Sequence, residues 1–528
     1  MFHAQSQFHQ SPSQLPLIHT IDEDDQLLLN SPEAEWYRIL KYFPYMVYRP
    51  IAADYYNSLY HFNKTRTIDR GDQHVNDEEK HQATQRLLFE RATMNDSKAI
   101  IFEQDSIPAV EQIVSPEQIA PGITPDRIGG KKPKCFFAMF KSFTGASIMG
   151  FAPEPENVHA LLTSNLSFAR VCGFVPKGAD ENYWHKYVPS LRKLEQFDQI
   201  MTEYGLWSKA KWDHVRENID SKLIKKENEL VGDTTHYHAH SVFETVEYID
   251  GNGKEKTKSQ SKTTKKCGCE DPNTCPHPWE LADQGAGTIV KAHNRYIWGH
   301  KASILGLPLE GIPLDAVAVS DAATHDGETI YPHVVRLFDN LPQVVPWIDT
   351  VLYDGAADSQ GLKDKFDKDF SIRLRASLNP RRRKSVTVNL PRGMEKITPY
   401  GTLFCNAGYE MDYKGMRYES EKFIYHAPLD DSGSSVCLSC DRKSLCCPVS
   451  KKGRVATLPF SVLPHIDPKD PPMARRFKAM MTHRPSVERM IKRLKCDLSD
   501  DWLKKRGNAA FQAYLDKTMI AFHILLRQ

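Results

Sequence analysis

Three acidic residues in this 528-residue chain stand where a metal-dependent phosphodiester-cutting site needs carboxylates: Asp233, Asp354 and Glu488. Asp233 follows a short apolar run, Asp354 ends the run 348–353, and Glu488 lies early in a helix predicted to begin at Pro485. Mg²⁺ and Mn²⁺ prefer oxygen ligands, and a pair of such ions stabilises both the attacking and the leaving oxygen at phosphorus. Two aspartates at strand ends and one glutamate on a helix therefore predict cleavage or joining of DNA strands.

The predicted helix that carries Glu488 also carries basic residues. Lys492 and Lys495 follow Glu488 at i+4 and i+7 on one helical stripe, and Arg484 precedes it by one turn. A basic stripe beside a metal site can hold the phosphate backbone of a substrate. The alternative is an ordinary solvated helix with ion pairs, and acids at strand ends are common. Only the ordered set of acids favours the catalytic interpretation.

This ordered set resembles the DDE transposases of bacterial insertion sequences. Residues 233–235 (Asp-Thr-Thr) are similar to the first-aspartate signature of that family, and residues 354–359 (Asp-Gly-Ala-Ala-Asp-Ser) to its second-aspartate motif. The spacing Arg484-x3-Glu488-x6-Lys495 matches the family's YREK signature. This last spacing is the most specific part of the resemblance.

The resemblance covers about residues 130–500 and departs from the family pattern at two places. Met481 stands where a tyrosine is expected, and Gly-Ala-Ala at 355–357 replaces Lys-Gly-Tyr. Neither change removes a carboxylate. The resemblance implies an α/β fold, namely an RNase H-like mixed sheet flanked by helices.

The same resemblance implies a function. Asp233, Asp354 and Glu488 would bind two Mg²⁺ or Mn²⁺ ions, and Arg484 and Lys495 would grip the DNA backbone. The protein would cut double-stranded DNA at the ends of a mobile element and transfer the strands into target DNA. Pairing of two element ends implies a homodimer in the DNA complex. Two alternatives stay open: a nuclease of the same fold that cannot join DNA, and a catalytically silent DNA-binding protein descended from a transposase.

The hydrophobic pattern divides the chain into regions. From residue 230 onward the helical period gives way to short apolar runs that alternate with helical stretches, which predicts a mixed α/β sheet. Predicted strands are 230–232, 288–292, 296–305, 316–319, 350–353 and 372–378, and predicted helices include 158–172, 327–340, 359–366, 473–481, 486–495 and 509–526. The predicted regions are a disordered leader (1–30), a helical N-terminal DNA-binding region (31–225), the first part of the core (226–380), a cysteine-rich insertion (381–470), and a core helix with a C-terminal helix (471–528).

Two cysteine clusters suggest zinc. Cys437-x2-Cys440-x5-Cys446, with Cys405 upstream, provides four thiolates for a tetrahedral structural site, and insertions of the resembled family support this interpretation. The alternative is a set of reduced core thiols. The second cluster is Cys267-x-Cys269-x5-Cys275-x-His277, where the Cys-x-Cys spacing is less typical, so a small second zinc site stays an open question. Three alternating histidines, 236, 238 and 240, are expected to be mainly structural.

Charge is unevenly distributed along the chain. The net charge is +2, but residues 371–528 hold 30 basic and 15 acidic residues. The densest basic run contains Arg381, Arg382 and Arg383, and we expect it to bind phosphates without reading sequence, the alternative being a solvated basic loop. The lysine-rich tract 254–266 is predicted to be a mobile basic loop.

The expected location is the cytoplasm, with the protein associated with the nucleoid and no membrane partner. No N-terminal segment has the pattern of a signal peptide, and the apolar stretch 519–526 is too short to span a bilayer. Eleven cysteines in such a protein favour thiols or metal ligands over disulfides.

Overall fold

The computed structural model describes residues 35–69, 134–176, 179–180, 182–265, 269–271, 274–291, 295–379 and 390–527. The predicted leader, the run Arg381 to Arg383, and Cys267 lie outside the described residues.

The described chain forms strands and helices in a mixed order. The strands are β1 (Glu229–His238), β2 (Phe243–Ile249), β3 (Glu255–Ser261), β4 (Thr263–Thr264), β5 (Glu280–Leu281), β6 (Gly287–Lys291), β7 (Arg295–Leu307), β8 (Ile312–Ala318), β9 (Thr350–Tyr353), β10 (Arg373–Ala376), β11 (Met394–Ile397), β12 (Leu403–Cys405), β13 (Asp412–Arg417), β14 (Lys422–His426) and β15 (Val455–Pro459). The α-helices are α1 (Glu35–Lys41), α2 (Arg49–Asp69), α3 (Phe136–Ile148), α4 (Pro155–Ser164), α5 (Leu166–Cys172), α6 (Leu191–Glu203), α7 (Leu206–Asp220), α8 (Asp326–Asn340), α9 (Gln360–Phe370), α10 (Lys443–Cys446), α11 (Arg475–Met481), α12 (Ser486–Lys492) and α13 (Asn508–Leu525).

A mixed sheet organises the central part of the chain. Its strand order is β10-β9-β1-β7-β6, and β8 pairs with the second half of β7. β1 runs antiparallel to β7 and parallel to β9, and β10 runs parallel to β9. The parallel strands alternate with α8 and α9, as the change of hydrophobic period predicts.

Apolar runs account for the central strands. Leu230, Val231, Val351 and Leu352 are fully buried, so their strands are buried on both faces and form continuous apolar runs. The predicted strand 350–353 is confirmed with its bounds, and the predicted strand 230–232 is confirmed but continues to His238. β1 therefore runs through Asp233 instead of ending before it.

Two predictions of local structure were wrong. The tract 254–266 is not a loop along most of its length, because 255–261 is β3, paired with β2 over seven residues. Asp250 sets the connecting turn, since its Oδ1 accepts the backbone N–H groups of Asn252 and Lys254. The predicted helix 158–172 is divided at Asn165, whose side chain accepts the Phe168 N–H and begins α5.

The helix α13 joins the helical N-terminal region to the sheet. Phe511, Tyr514 and Met519 belong to the apolar core around the sheet, whereas Ile520 and Ile524 belong to the core of the helical region. α13 thus has buried residues on both of its sides, which explains why nearly all of its residues are buried.

Buried ion pairs reinforce this junction. The Lys211 ammonium on α7 contacts the carboxylates of Asp315 on β8 and Asp516 on α13, and all three side chains are almost completely buried. Arg336 and His333 on α8 also reach Asp315. The helical region is therefore attached to the sheet by charges as well as by apolar packing.

The insertion has an apolar core of its own. β13, β14 and β15 form a three-stranded antiparallel sheet, and Phe423, Tyr425 and Leu458 are buried beneath it. Buried cysteines, described below, belong to the same core. Within the described part of the chain, no helix combines the length and apolar character that crossing a bilayer requires.

Candidate metal centre

Strand register places Asp354 beside Asp233. In the parallel pair of β1 and β9, Val231 lies opposite Leu352, so the same register continues to Asp233 opposite Asp354. Neighbouring strands are about 4.8 Å apart, so Asp233 and Asp354 lie close together just beyond the point where the pairing of β1 with β9 ends. The negative charge of Asp354 also acts on the Asp233 carboxyl, as expected for groups this close.

The turn after β9 holds Asp354 in position. Its Oδ1 accepts the Ala356 N–H at 2.9 Å and caps a short helical turn, Gly355–Ala357. The first turn of α8 packs directly against this turn. The contact is so close that a Cβ at Gly327 would overlap with the Ala356 carbonyl oxygen. Asp358, the second acid of the motif, is buried and binds Lys363 and the Asn379 N–H, so it supports the structure of the loop.

Arg484 connects Glu488 to Asp233. The apolar face of α12 is buried against the sheet through Val487 and Met490, which leaves Glu488 in its exposed first turn. The Arg484 guanidinium donates to Asp233 Oδ2 at 2.5 Å and to Glu488 Oε1 at 2.8 Å. Arg484 therefore links Asp233 to Glu488, and Asp354 is close enough for its charge to act on Asp233.

The environment of Asp233 disfavours its negative charge. Burial, assisted by the charges of Asp354 and Asp326, raises the pKa of Asp233 to about 6 against the opposing effects of Arg484 and the Thr234 N–H. A single guanidinium thus does not compensate for this concentration of acids. The donor set consists of carboxylate oxygens, which fits hard divalent cations such as Mg²⁺ or Mn²⁺.

Asp326 is a fourth acid of the cluster, and the sequence analysis did not assign it a role. It is the first residue of α8, and its charge acts on both Asp233 and Tyr353. Burial opposes its ionisation, but hydrogen bonding and charge from Lys301 outweigh burial and lower the pKa of Asp326. The Lys301 Nζ lies 2.8 Å from Asp326 Oδ1. Nothing in the spacing of the sequence distinguishes this aspartate from other helix-starting acids.

The predicted phosphate-binding residues have different environments. Lys495 donates to the His236 carbonyl oxygen at 2.6 Å and pairs with Asp501 at 3.3 Å, so it points toward β1. This orientation follows from a π-helical turn, Arg493–Asp497, which interrupts the stripe expected of a continuous α-helix. Lys492 is mainly exposed and pairs with Asp497 at 3.5 Å.

The histidine row along β1 has structural contacts. The His238 ring stacks on Trp502 with centroids 4.4 Å apart, and its Nε2 lies 4.0 Å from Asp501. His236 is buried beside the acids, and its charge favours ionised Asp326.

The insertion brings four thiols together in its core: Cys405, Cys437 and Cys447 are buried, and Cys446 is half-buried. Burial, Cys437 and Cys446 raise the pKa of Cys447 to about 11. Burial also raises the pKa of Cys446, with contributions from Cys437 and Cys405. Cys440 is half-buried at the turn before α10. Zinc binding by Cys405, Cys437, Cys440 and Cys446 stays a prediction, with Cys447 as a further neighbouring thiol.

The second cysteine cluster converges more closely. Ligand atoms of Cys269, Cys275 and His277 all lie within 4.8 Å of one another. They belong to the segment that connects β4 to β5.

Comparisons with known proteins give little to identify the chain. No family model and no curated protein matches it. Among solved structures, it is similar to a piggyBac transposase in a synaptic complex with hairpin DNA, at 9% identity and a TM-score of 0.30. That match covers 74% of this chain and 65% of the other chain, so the chain spans slightly less than two thirds of the protein that it matches.

Proposed function

We propose that this protein is a DDE transposase with an RNase H-like core, which cleaves DNA at element ends and transfers the strands into target DNA. The observation that supports the proposal is the pairing of Arg484 with both Asp233 and Glu488, together with the charge of the neighbouring Asp354 that acts on Asp233. The sheet supports the proposed core, since an antiparallel strand run is followed by parallel strands that alternate with helices. The proposed partner is double-stranded DNA bound by a homodimer.

The three acids are the proposed ligands of two divalent cations. When bound, such ions neutralise charge on the phosphate and lower the pKa of the attacking water or hydroxyl. Asp233 and Asp354 supply oxygens from adjacent strands, and Glu488 supplies one from α12. Asp326, held by Lys301, adds negative charge beside Asp233 that increases the attraction for cations.

Arg484 is proposed to change partners between states. In this structure its guanidinium pairs with both Asp233 and Glu488. With cations in place, those carboxylates no longer need it, and its planar donors are suited to a phosphate of the substrate. Lys492, mainly exposed at the last position of α12, would contact the DNA backbone further along. Arg381, Arg382 and Arg383 are proposed to bind DNA phosphates without reading sequence.

Cleavage of a labelled duplex that carries the native element end tests the proposal. We expect wild-type protein to nick the duplex with Mg²⁺, and Asp354→Asn and Glu488→Gln to lose more than about 100-fold in rate, because each lost ligand costs several kcal/mol. DNA binding should persist in both variants, since these carboxylates hold cations instead of DNA. Asp349→Asn is the matched control, because Asp349 lies just before the opposite end of β9.

The outcomes separate the proposed function from its alternatives. Products joined into a plasmid identify a transposase, whereas nicking without joining identifies a nuclease. Tight binding without any cleavage by the wild type would contradict catalysis and favour a silent DNA-binding protein. Loss of binding together with cleavage in Asp354→Asn would contradict the metal-binding role.

A further inference from the structure

The segment between β4 and β5 has a fold that apolar packing does not explain. β4 and β5 have two residues each and pair at two positions. All described residues from 269 to 279 are half-buried or exposed, and Trp279 is 53% exposed. Short two-stranded pairings are marginal in water, and a segment without a core needs another source of stability.

Three metal-ligating side chains meet inside this segment. Cys269 Sγ lies 3.4 Å from His277 Nδ1, and the ligand atoms of Cys269, Cys275 and His277 are mutually within 4.8 Å. In a tetrahedral zinc site with Zn–S about 2.3 Å and Zn–N about 2.0 Å, sulfur and nitrogen ligands are about 3.5 Å apart. The arrangement therefore has the dimensions of a zinc site.

A lysine side chain lies against the cluster, and the ligand types indicate which metal it suits. The Lys265 ammonium lies 3.6 Å from Cys275 Sγ and donates to the Cys275 carbonyl oxygen at 2.9 Å. Two thiolates and one imidazole are soft or borderline ligands, which suit zinc better than magnesium.

We infer that Cys269, Cys275 and His277 bind a zinc ion that folds the segment between β4 and β5. This site is separate from the carboxylate cluster and from the cysteines of the insertion. Three protein ligands leave one position of the tetrahedron to a further donor. The metal supplies the stability that the segment lacks, as in small domains that fold only when their zinc binds.

The base of the segment is fixed independently of the metal. Ser261 on β3 exchanges hydrogen bonds with the backbone of Asp283, and the Asp283 carboxylate accepts the Gly507 N–H at 2.7 Å and contacts His300 Nε2 at 3.0 Å. His300 belongs to β7, and Gly507 immediately precedes α13. Loss of zinc should therefore unfold the segment without unfolding the rest of the protein.

The test measures zinc bound to the full-length purified protein by elemental analysis. We expect Cys269→Ser, Cys275→Ser and His277→Asn each to carry about one zinc per chain less than the wild type. Cys496→Ser is the matched control, since Cys496 is an exposed thiol outside both clusters, and it should retain the wild-type amount. The result is a difference from wild type, so zinc elsewhere in the protein does not affect it.

Limited proteolysis provides a second measurement on the same samples. In Cys275→Ser, we expect new cleavage between residues 265 and 280, while the remaining fragments stay resistant. Cobalt in place of zinc gives a further check, since thiolate-to-cobalt charge-transfer absorption should decrease in Cys275→Ser. Equal zinc content in wild type, Cys269→Ser and Cys275→Ser would overturn the inference, whether or not DNA cleavage is observed.

Discussion

Asp233 and Asp326 lie in the same acidic cluster, but their pKa values are shifted in opposite directions. Asp233 is buried with its charge only partly compensated, so its pKa is raised to about 6. Asp326 is held by Lys301, which lowers its pKa in spite of burial. Both carboxyl groups have a cation within hydrogen-bond distance, so the balance between burial and all compensating contacts decides protonation in this cluster.

This difference gives opposite effects on stability in the absence of divalent cations. For Asp233 the folded pKa is above the unfolded value, so its contribution to the free energy of unfolding decreases as pH rises from about 4 to 6. Asp233→Asn should therefore stabilise the metal-free protein at pH 8, by about 1–2 kcal/mol after allowance for the lost Arg484 contact, and have little effect at pH 4.

Asp326→Asn is the matched comparison. Its lowered folded pKa contributes stability at neutral pH, which is lost as pH falls, and its removal leaves the buried Lys301 ammonium without its carboxylate. We expect a lower thermal midpoint at pH 8 for this variant. Equal decreases in thermal midpoint for Asp233→Asn and Asp326→Asn at pH 8 would contradict the assigned environment of Asp233.

Mn²⁺ should stabilise the wild type more at pH 8 than at pH 5, because Asp233 must release its proton to bind the cation.

At the scale of elements, the approach of β1 to β7 depends on the lack of a side chain at Gly299. A Cβ there would overlap with the Tyr237 carbonyl oxygen, which is backbone and cannot move aside independently. Gly299→Ala should lower the free energy of unfolding by about 1–3 kcal/mol. Gly361→Ala is the control, because the corresponding space in α9 is open and alanine favours a helix by about 1 kcal/mol. Thermal denaturation of both variants checks the prediction, which is wrong if Gly299→Ala is as stable as the wild type.

The elements were predictable where local pattern determines them. Apolar runs predicted β9 and most of β7, and capping predicted the start of α12 near Pro485. β3 was not recognised, because it contains no apolar residue and only its pairing with β2 defines it as a strand. The direction of Lys495 was also missed, since a π-helical turn is set by tertiary packing and has no simple sequence signal.

The candidate site was predictable only in part, because some of its residues are brought together by tertiary structure and have no local sequence signal. Asp233, Asp354 and Glu488 each belong to a short motif with recognisable spacing. Asp326 has no motif, and its place in the cluster depends on where α8 begins relative to β1 and β9. The close approach of Cys269 to His277 likewise depends on the fold of a segment that contains many polar residues.

At the scale of the whole molecule, the buried Lys211 connects three elements that lie far apart in sequence. Lys211→Met would leave Asp315 and Asp516 buried with less compensation, and breaking such a network costs about 3–5 kcal/mol. Lys209→Met is the matched control, because the pair of Lys209 with Asp54 is exposed and contributes less than about 1 kcal/mol. Urea denaturation should show a large loss for Lys211→Met and almost none for Lys209→Met. Similar small losses in both would indicate that apolar packing alone attaches the helical region to the sheet.

The two-sided burial of α13 has a consequence for protein synthesis. This helix leaves the ribosome after every other described element, yet residues from both large cores pack on it. Until it emerges, the nascent helical region and the nascent sheet each expose an apolar surface that has no cover. The carboxylate cluster depends on that sheet, so its final assembly should follow the emergence of α13, and chaperones would have most to bind just before it.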